Sequence, residues 1–173
     1  MTIREMLFEG NRNHAANGDG AKRKRLAKEG QSPYAIVICC SDSRVIPEQI
    51  FSADMGDLFV IRVAGNVLDR HPLGSIEYAA EHLGCRYILM LGHTGCGAIA
   101  AAVSGHAEGF VSAVTDEIRK AIGMELDPDA ACRQNVRYGT DRIRAAFREK
   151  PWFSETEVAG AVYDIGSGTV EWL

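Results

Sequence analysis

The chain has 173 residues, 46% of them hydrophobic and 24% charged, with a net charge of −4. This is enough chain for one ordinary domain with its own core, and the acidic balance offers nucleic acid no broad surface. No apolar stretch approaches the ~20 residues of a membrane span. The start, Met1-Thr2-Ile3-Arg4-Glu5, lacks the apolar core of a signal peptide, so a cytoplasmic location is expected. Five cysteines, an odd number in a reducing compartment, argue for metal or thiol chemistry over a disulfide framework.

From Thr2 to about Lys28 the pattern is helical, broken at Asn17-Gly18-Asp19-Gly20. This arm, residues 1–29, is poor in apolar residues and is expected to lie on a partner subunit. Its basic run, Lys22-Arg23-Lys24-Arg25, reads as a solvated helix face. After the loop Gly30-Gln31-Ser32-Pro33, the run Ala35 to Cys39 is apolar throughout, as in a strand buried on both faces. Pro47 to Phe51 forms one helical turn with Pro at its start. Leu58 to Val63 is the next strand, and a helix is expected from Gly74-Ser75, with Ser75 as cap and Glu77 in the first turn, to Leu83. Tyr87 to Leu91 is a third strand and Ala98 to Val103 a small-residue helix. Ser112–Ile122 and Asp127–Phe147 are further helices; Val158 to Asp164 is the last main strand, and Thr169 to Leu173 returns as a short arm. The predicted fold class is α/β. It is a single domain over 1–173 with a mainly parallel central sheet flanked by helices, an N-terminal helical arm and a C-terminal strand or hairpin extension.

Sites in such sheets lie beyond the carboxyl ends of the strands. Two reactive stretches occupy that position. Cys40-Ser41-Asp42-Ser43-Arg44 follows the first strand, and His93-Thr94-Gly95-Cys96-Gly97 follows the third. Cys40, His93 and Cys96 are the thiolate and imidazole types that zinc takes in a tetrahedron, and Asp42 is a fourth candidate. A helix starting after Cys96 favours its thiolate. Cys39, Cys85 and Cys132 read as small buried apolar residues. Three protein ligands leave one position for catalysis, whereas four close a structural site. Asp42 can fill or vacate the fourth, and Arg44 keeps it ionised.

The two stretches together resemble the signature motifs of the β-class carbonic anhydrases, in the same order and at a similar interval, and the resemblance covers nearly the whole chain. It implies reversible hydration of carbon dioxide to bicarbonate and a proton by hydroxide on zinc, with one Zn2+ per subunit on Cys40, His93 and Cys96. It implies Asp42 and Arg44 as the catalytic dyad, with Asp42 a zinc ligand only in a closed form. Gln31, in Gly30-Gln31-Ser32-Pro33, resembles the position that reaches substrate across a subunit interface; Phe59 and Tyr78 resemble pocket positions, though each also reads as plain core packing. Gly97 is expected to orient the product oxygens through its backbone. Family members with an inhibitory bicarbonate site carry tryptophan where this chain has Val37, so an open metal site is expected. The partners implied are carbon dioxide and bicarbonate, with no nucleic acid and no membrane, and further copies of the chain in a homodimer or a larger homo-oligomer such as a tetramer. Two alternatives stay open: a hydrolase of carbon disulfide or carbonyl sulfide on the same site, and a non-catalytic zinc module. A redox pair of Cys39 and Cys40 would leave His93 without a role.

Overall fold

The computed structural model describes all residues, Met1–Leu173. It divides into a helical unit, Met1–Gln31, and a sheet unit, Ser32–Leu173. In the first, α1 (Ile3–Asn17) starts at a capping box. Thr2 Oγ1 accepts from Glu5 N at 3.2 Å, while the Thr2 amide donates to Glu5 Oε2 at 2.7 Å. Extended backbone at Gly18 ends α1, and Asp19 caps α2 (Gly20–Glu29) by accepting from Lys22 N at 2.8 Å. Arg23 ties the corner by donating to the carbonyls of His14 and Ala15. The break falls where the glycine-rich run predicts it. Ile3, Met6 and Leu7 stand one helical turn apart on one face of α1, all exposed.

The second unit is built on a five-stranded sheet in the order β2-β1-β3-β4-β5. Its strands are β1 (Ala35–Cys39), β2 (Leu58–Arg62), β3 (Tyr87–His93), β4 (Glu157–Tyr163) and β5 (Val170–Trp172). The first four run parallel and β5 pairs antiparallel to β4, which bears out the mainly parallel sheet and its C-terminal hairpin arm. The helices are α3 (Pro47–Ile50), α4 (Arg70–His82), α5 (Gly97–Ser104), α6 (Val111–Ile122) and α7 (Pro128–Phe147).

Strands β1 and β3 alternate their side chains between two apolar layers. Ile36, Ile38, Ile88 and Met90 face Ile76, Ala79 and Ala80 of α4 and Val136, Ile143 and Phe147 of α7. Val37, Cys39, Leu89 and Leu91 face the other way, where the residues packed on them come from the α3 region and the C-terminal strands, with none from α4 to α7. That thinly covered face holds an apolar cavity of about 250 Å³ lined by Tyr34, Val37, Phe51, Leu58, Tyr87 and Trp172 among others. Every residue of β1 is buried, as its unbroken apolar run requires.

Two boundaries differ by two residues or more from those read in the sequence. Helix α4 begins at Arg70, not at Gly74, because Asp69 is the cap, accepting from His71 N at 2.8 Å; Pro72 lies within the first turn, where its missing N–H leaves nothing unpaired. Strand β3 runs on to His93, because Gly92 and His93 keep pairing in register with Val162 and Tyr163. Two 3₁₀ turns, Ala64–Asn66 and Pro151–Glu155, complete the unit.

Helix α7 lies close on β3 and β4 because glycines face it. A Cβ added at Gly160 would meet Val136 Cγ1 at 2.9 Å and Thr140 Cγ2 at 3.2 Å. Gly160→Ala is therefore expected to destabilise the protein by about 1–3 kcal/mol through overpacking, read as a lower urea midpoint. An unchanged or higher midpoint would contradict the close approach of α7.

Candidate metal centre

The chain passes from β1 to β2 on one side and returns to place β3 on the other side of β1. The strand order reverses between β1 and β3, and a crevice opens there at the carboxyl ends of both. Cys39 pairs with Leu91, so Cys40 and His93 leave neighbouring strands at nearly the same height. Cys96 follows as the N-cap residue of α5, after a turn at Gly95 with φ of 65°. The ligand atoms of Cys40, His93 and Cys96 all lie within 4.8 Å of one another, and the three residues are buried. A tetrahedral metal with ~2.3 Å bonds to sulfur fits such a spacing.

The hydrogen bonding around these groups also fits a metal. His93 Nδ1 lies 3.0 Å from the Thr94 carbonyl, which fixes that nitrogen as the donor and leaves the lone pair on Nε2. Nε2 is buried and makes no hydrogen bond. An orphaned buried nitrogen beside two thiols is costly unless a cation takes it. Cys40 is pulled down, chiefly by the neighbouring Cys96 thiol, with burial opposing and His93 assisting. Cys96 is pushed up, first by Cys40 and then by burial. Burial opposes a charged His93, yet the Cys40 thiolate and the Thr94 carbonyl prevail and raise its pKa. The remaining cysteines are ordinary buried thiols: burial pushes Cys39 up to about 12 and Cys132 up to about 11, and raises Cys85. Cys39 packs in the layer opposite to that of Cys40, so the two cannot work as a redox pair.

Asp42 is turned onto Arg44. Its Oδ1 accepts from Arg44 Nε at 3.0 Å and from the Arg44 amide at 2.9 Å, and its Oδ2 accepts from Nη2 at 2.7 Å. This bidentate fork holds Asp42 well below the usual carboxylate range. Arg44 Nη2 also reaches the Gly95 carbonyl at 3.3 Å, so the guanidinium spans both motif loops.

Residues outside the two motifs hold these loops. Arg62, the last residue of β2, donates through Nη2 to the carbonyls of Asp42 (2.7 Å) and Val45 (2.9 Å) and through Nε to that of Cys40 (3.4 Å). The Gly65 amide donates to Cys40 Sγ at 3.3 Å. Gly65 and Asn66 both have positive φ, 64° and 44°, and a Cβ on Gly65 would meet Ile118 Cδ1 at 2.7 Å. Glycine is thus required there, and asparagine tolerates the left-handed region better than most side chains. Sequence reading passed over the supporting role of Arg62; a lone cation closing an apolar strand was its only signal.

The other candidate residues lie elsewhere. Gly97 opens α5 beside Cys96. Phe59 pairs with Ile36, so it stands about 13 Å of strand before the height of Cys40. Its ring contacts Tyr78 of α4 at 6.3 Å between centroids, and Tyr78 is half exposed. One chain alone therefore does not bring Phe59 and Tyr78 beside its own three-residue cluster. Gln31 closes the helical unit and is exposed. Val37 is buried in the sheet layer away from Cys40.

A family profile described as carbonic anhydrase matches residues 35–170. The carbonic anhydrase of Mycolicibacterium smegmatis is 35% identical over 165 residues, covering 88% of this chain and 80% of that protein. The β-carbonic anhydrase of Aspergillus fumigatus superposes with a TM-score of 0.84 at 27% identity, covering 99% of this chain and 91% of that one. A structure described as one of two tetrameric β-carbonic anhydrases from Sordaria macrospora superposes at 0.74 with 28% identity, covering 98% and 93%. With a matching profile, a matching fold and a Cys-His-Cys cluster at the switch point of the sheet, this chain belongs to the β-class carbonic anhydrases.

Proposed function

We propose that the protein catalyses the reversible hydration of carbon dioxide to bicarbonate and a proton, with one zinc ion per subunit held by Cys40, His93 and Cys96. The observation that carries this reading is the buried, unpartnered His93 Nε2 beside two thiols, with the Asp42 carboxylate engaged by Arg44. Two sulfurs and a nitrogen select zinc among common divalent ions. When bound there, zinc supplies Lewis acidity that makes a water molecule nucleophilic near neutral pH.

The chain's own residues do the rest. Arg44 keeps Asp42 ionised, so its carboxylate accepts a hydrogen bond from the attacking water and orients it. The same fork keeps Asp42 from closing the site as a fourth ligand. The Gly97 N–H, in the first turn of α5, supports the negative oxygens of the product. The apolar cluster that packs with Cys40 and Cys96, built from Val67, Ile99, Ala102, Ile118 and Ile122, excludes water from the side of the site that faces the core.

Substrate-pocket positions Gln31, Phe59 and Tyr78 belong to this reading through a second copy of the chain. Phe59 and Tyr78 are displaced from their own cluster along β2, and an arm with exposed Ile3, Met6 and Leu7 needs a surface to cover. The thinly covered sheet face supplies an apolar surface of the matching kind. The protein is accordingly a homodimer or a tetramer built from dimers, with residues 1–29 of each chain packed on a partner and residues 1–173 serving one zinc domain.

Asp42→Ala and Arg44→Ala are each expected to lower kcat/KM for carbon dioxide hydration by about 100-fold or more while zinc stays near one per chain, measured by stopped-flow and metal analysis. Full activity in either variant would remove the dyad from the mechanism. The same stopped-flow experiment with carbon disulfide and carbonyl sulfide is expected to show carbon dioxide as the preferred substrate, and the reverse order would move the protein to the sulfur-compound branch. Light scattering is expected to give the mass of two or four chains; a stable, active monomer would contradict the shared pocket.

A further inference from the structure

Two buried polar side chains of α7 touch the segments that carry the metal ligands. Cys132 and Asn135 are three residues apart on one helix face, and each is only 5% exposed. Cys132 Sγ donates to the His93 carbonyl at 3.3 Å. Asn135 Nδ2 donates to the Gly65 carbonyl at 3.0 Å, and the Gly65 amide donates to Cys40 Sγ. One turn of α7 therefore reaches both halves of the split site, the half from β3 directly and the half from β1 through Gly65.

We propose that Asn135 is a positioning residue of the metal centre, which locks the left-handed Gly65 turn so that its N–H stays on the Cys40 sulfur. The turn's own backbone bond, from Asn66 N to the Val63 carbonyl at 2.8 Å, leaves the Gly65 carbonyl to be satisfied from elsewhere. Gly65 departs from helical φ and ψ, and its carbonyl is buried, so that carbonyl needs a donor from outside the turn. Asparagine supplies an uncharged N–H donor at this distance without bringing a charge into the interior. An N–H bond to a ligand sulfur stabilises the sulfur lone pairs, orients the thiolate and raises the energy needed to move charge from sulfur to metal. Cys132 acts in parallel on the His93 backbone. The inference rests on the zinc reading of Cys40, His93 and Cys96.

The test uses the full chain loaded with Co2+ in place of zinc. Asn135→Ala is expected to shift the sulfur-to-cobalt charge-transfer band to longer wavelength and to weaken metal affinity, measured by chelator competition, by about 10- to 100-fold. Asn135→Ser, too short to reach Gly65 but open to a water at the orphaned carbonyl, provides a folded variant if Asn135→Ala does not fold, with the same band shift expected. A role confined to fold stability would lower the melting temperature and leave the band in place, which would overturn the proposal. A native protein that takes up Co2+ with no sulfur-to-cobalt band would overturn the zinc reading itself and, with it, the role of Asn135. A normal native band unmoved in a folded variant would overturn only the latter.

Discussion

Everything at the site depends on the parallel pairing of β1 with β3. Cys39 and Leu91 are partners, so the next residue of one strand and the second-next of the other leave the sheet side by side. A slip of one residue would send Cys40 to the opposite face and leave the cluster with one thiol. The two strands carry Ile36, Ile38, Ile88 and Met90 into one layer and Val37, Cys39, Leu89 and Leu91 into the other, each packed in its own apolar cluster.

On that base the loops are held by charge and by backbone geometry. Arg44 grips Asp42 at both oxygens and touches Gly95, while Arg62 binds three carbonyls of the Cys40–Val45 segment from the end of β2. Two guanidiniums thus set the loop. The choice between a carboxylate bound to metal and a carboxylate bound to arginine lies in this loop. In this structure Asp42 has the second arrangement, a bidentate charged pair that also accepts a backbone N–H.

The strands and the two motifs were legible because apolar runs that end abruptly in thiol, imidazole and carboxylate side chains have few structural explanations. Cys40 and His93 could be placed together once both were recognised at carboxyl ends of parallel strands. The start of α4 was misread because Ser75 and Glu77 form a good local cap pattern, whereas the actual cap, Asp69, is followed by a proline that looks like a breaker and is tolerated in a first turn. The support from α7 had no local signal at all. Asn135 and Gly65 are 70 residues apart and Cys132 and His93 are 39 apart, so only the folded chain shows them in contact. Phe59 and Tyr78 were singled out by resemblance alone: pairing places them away from their own cluster, a fact that belongs to the register of β2 and not to the residue types.

The central claim is that three residues hold the metal while Arg44 keeps Asp42 off it. A crystal structure of the zinc-loaded protein near neutral pH tests this most directly. The account predicts zinc on Cys40, His93 and Cys96, a fourth position free of protein atoms, and Asp42 in its two-point contact with Arg44. Zinc bound by Asp42 with Arg44 released, or zinc absent from the three-residue cluster, would contradict it.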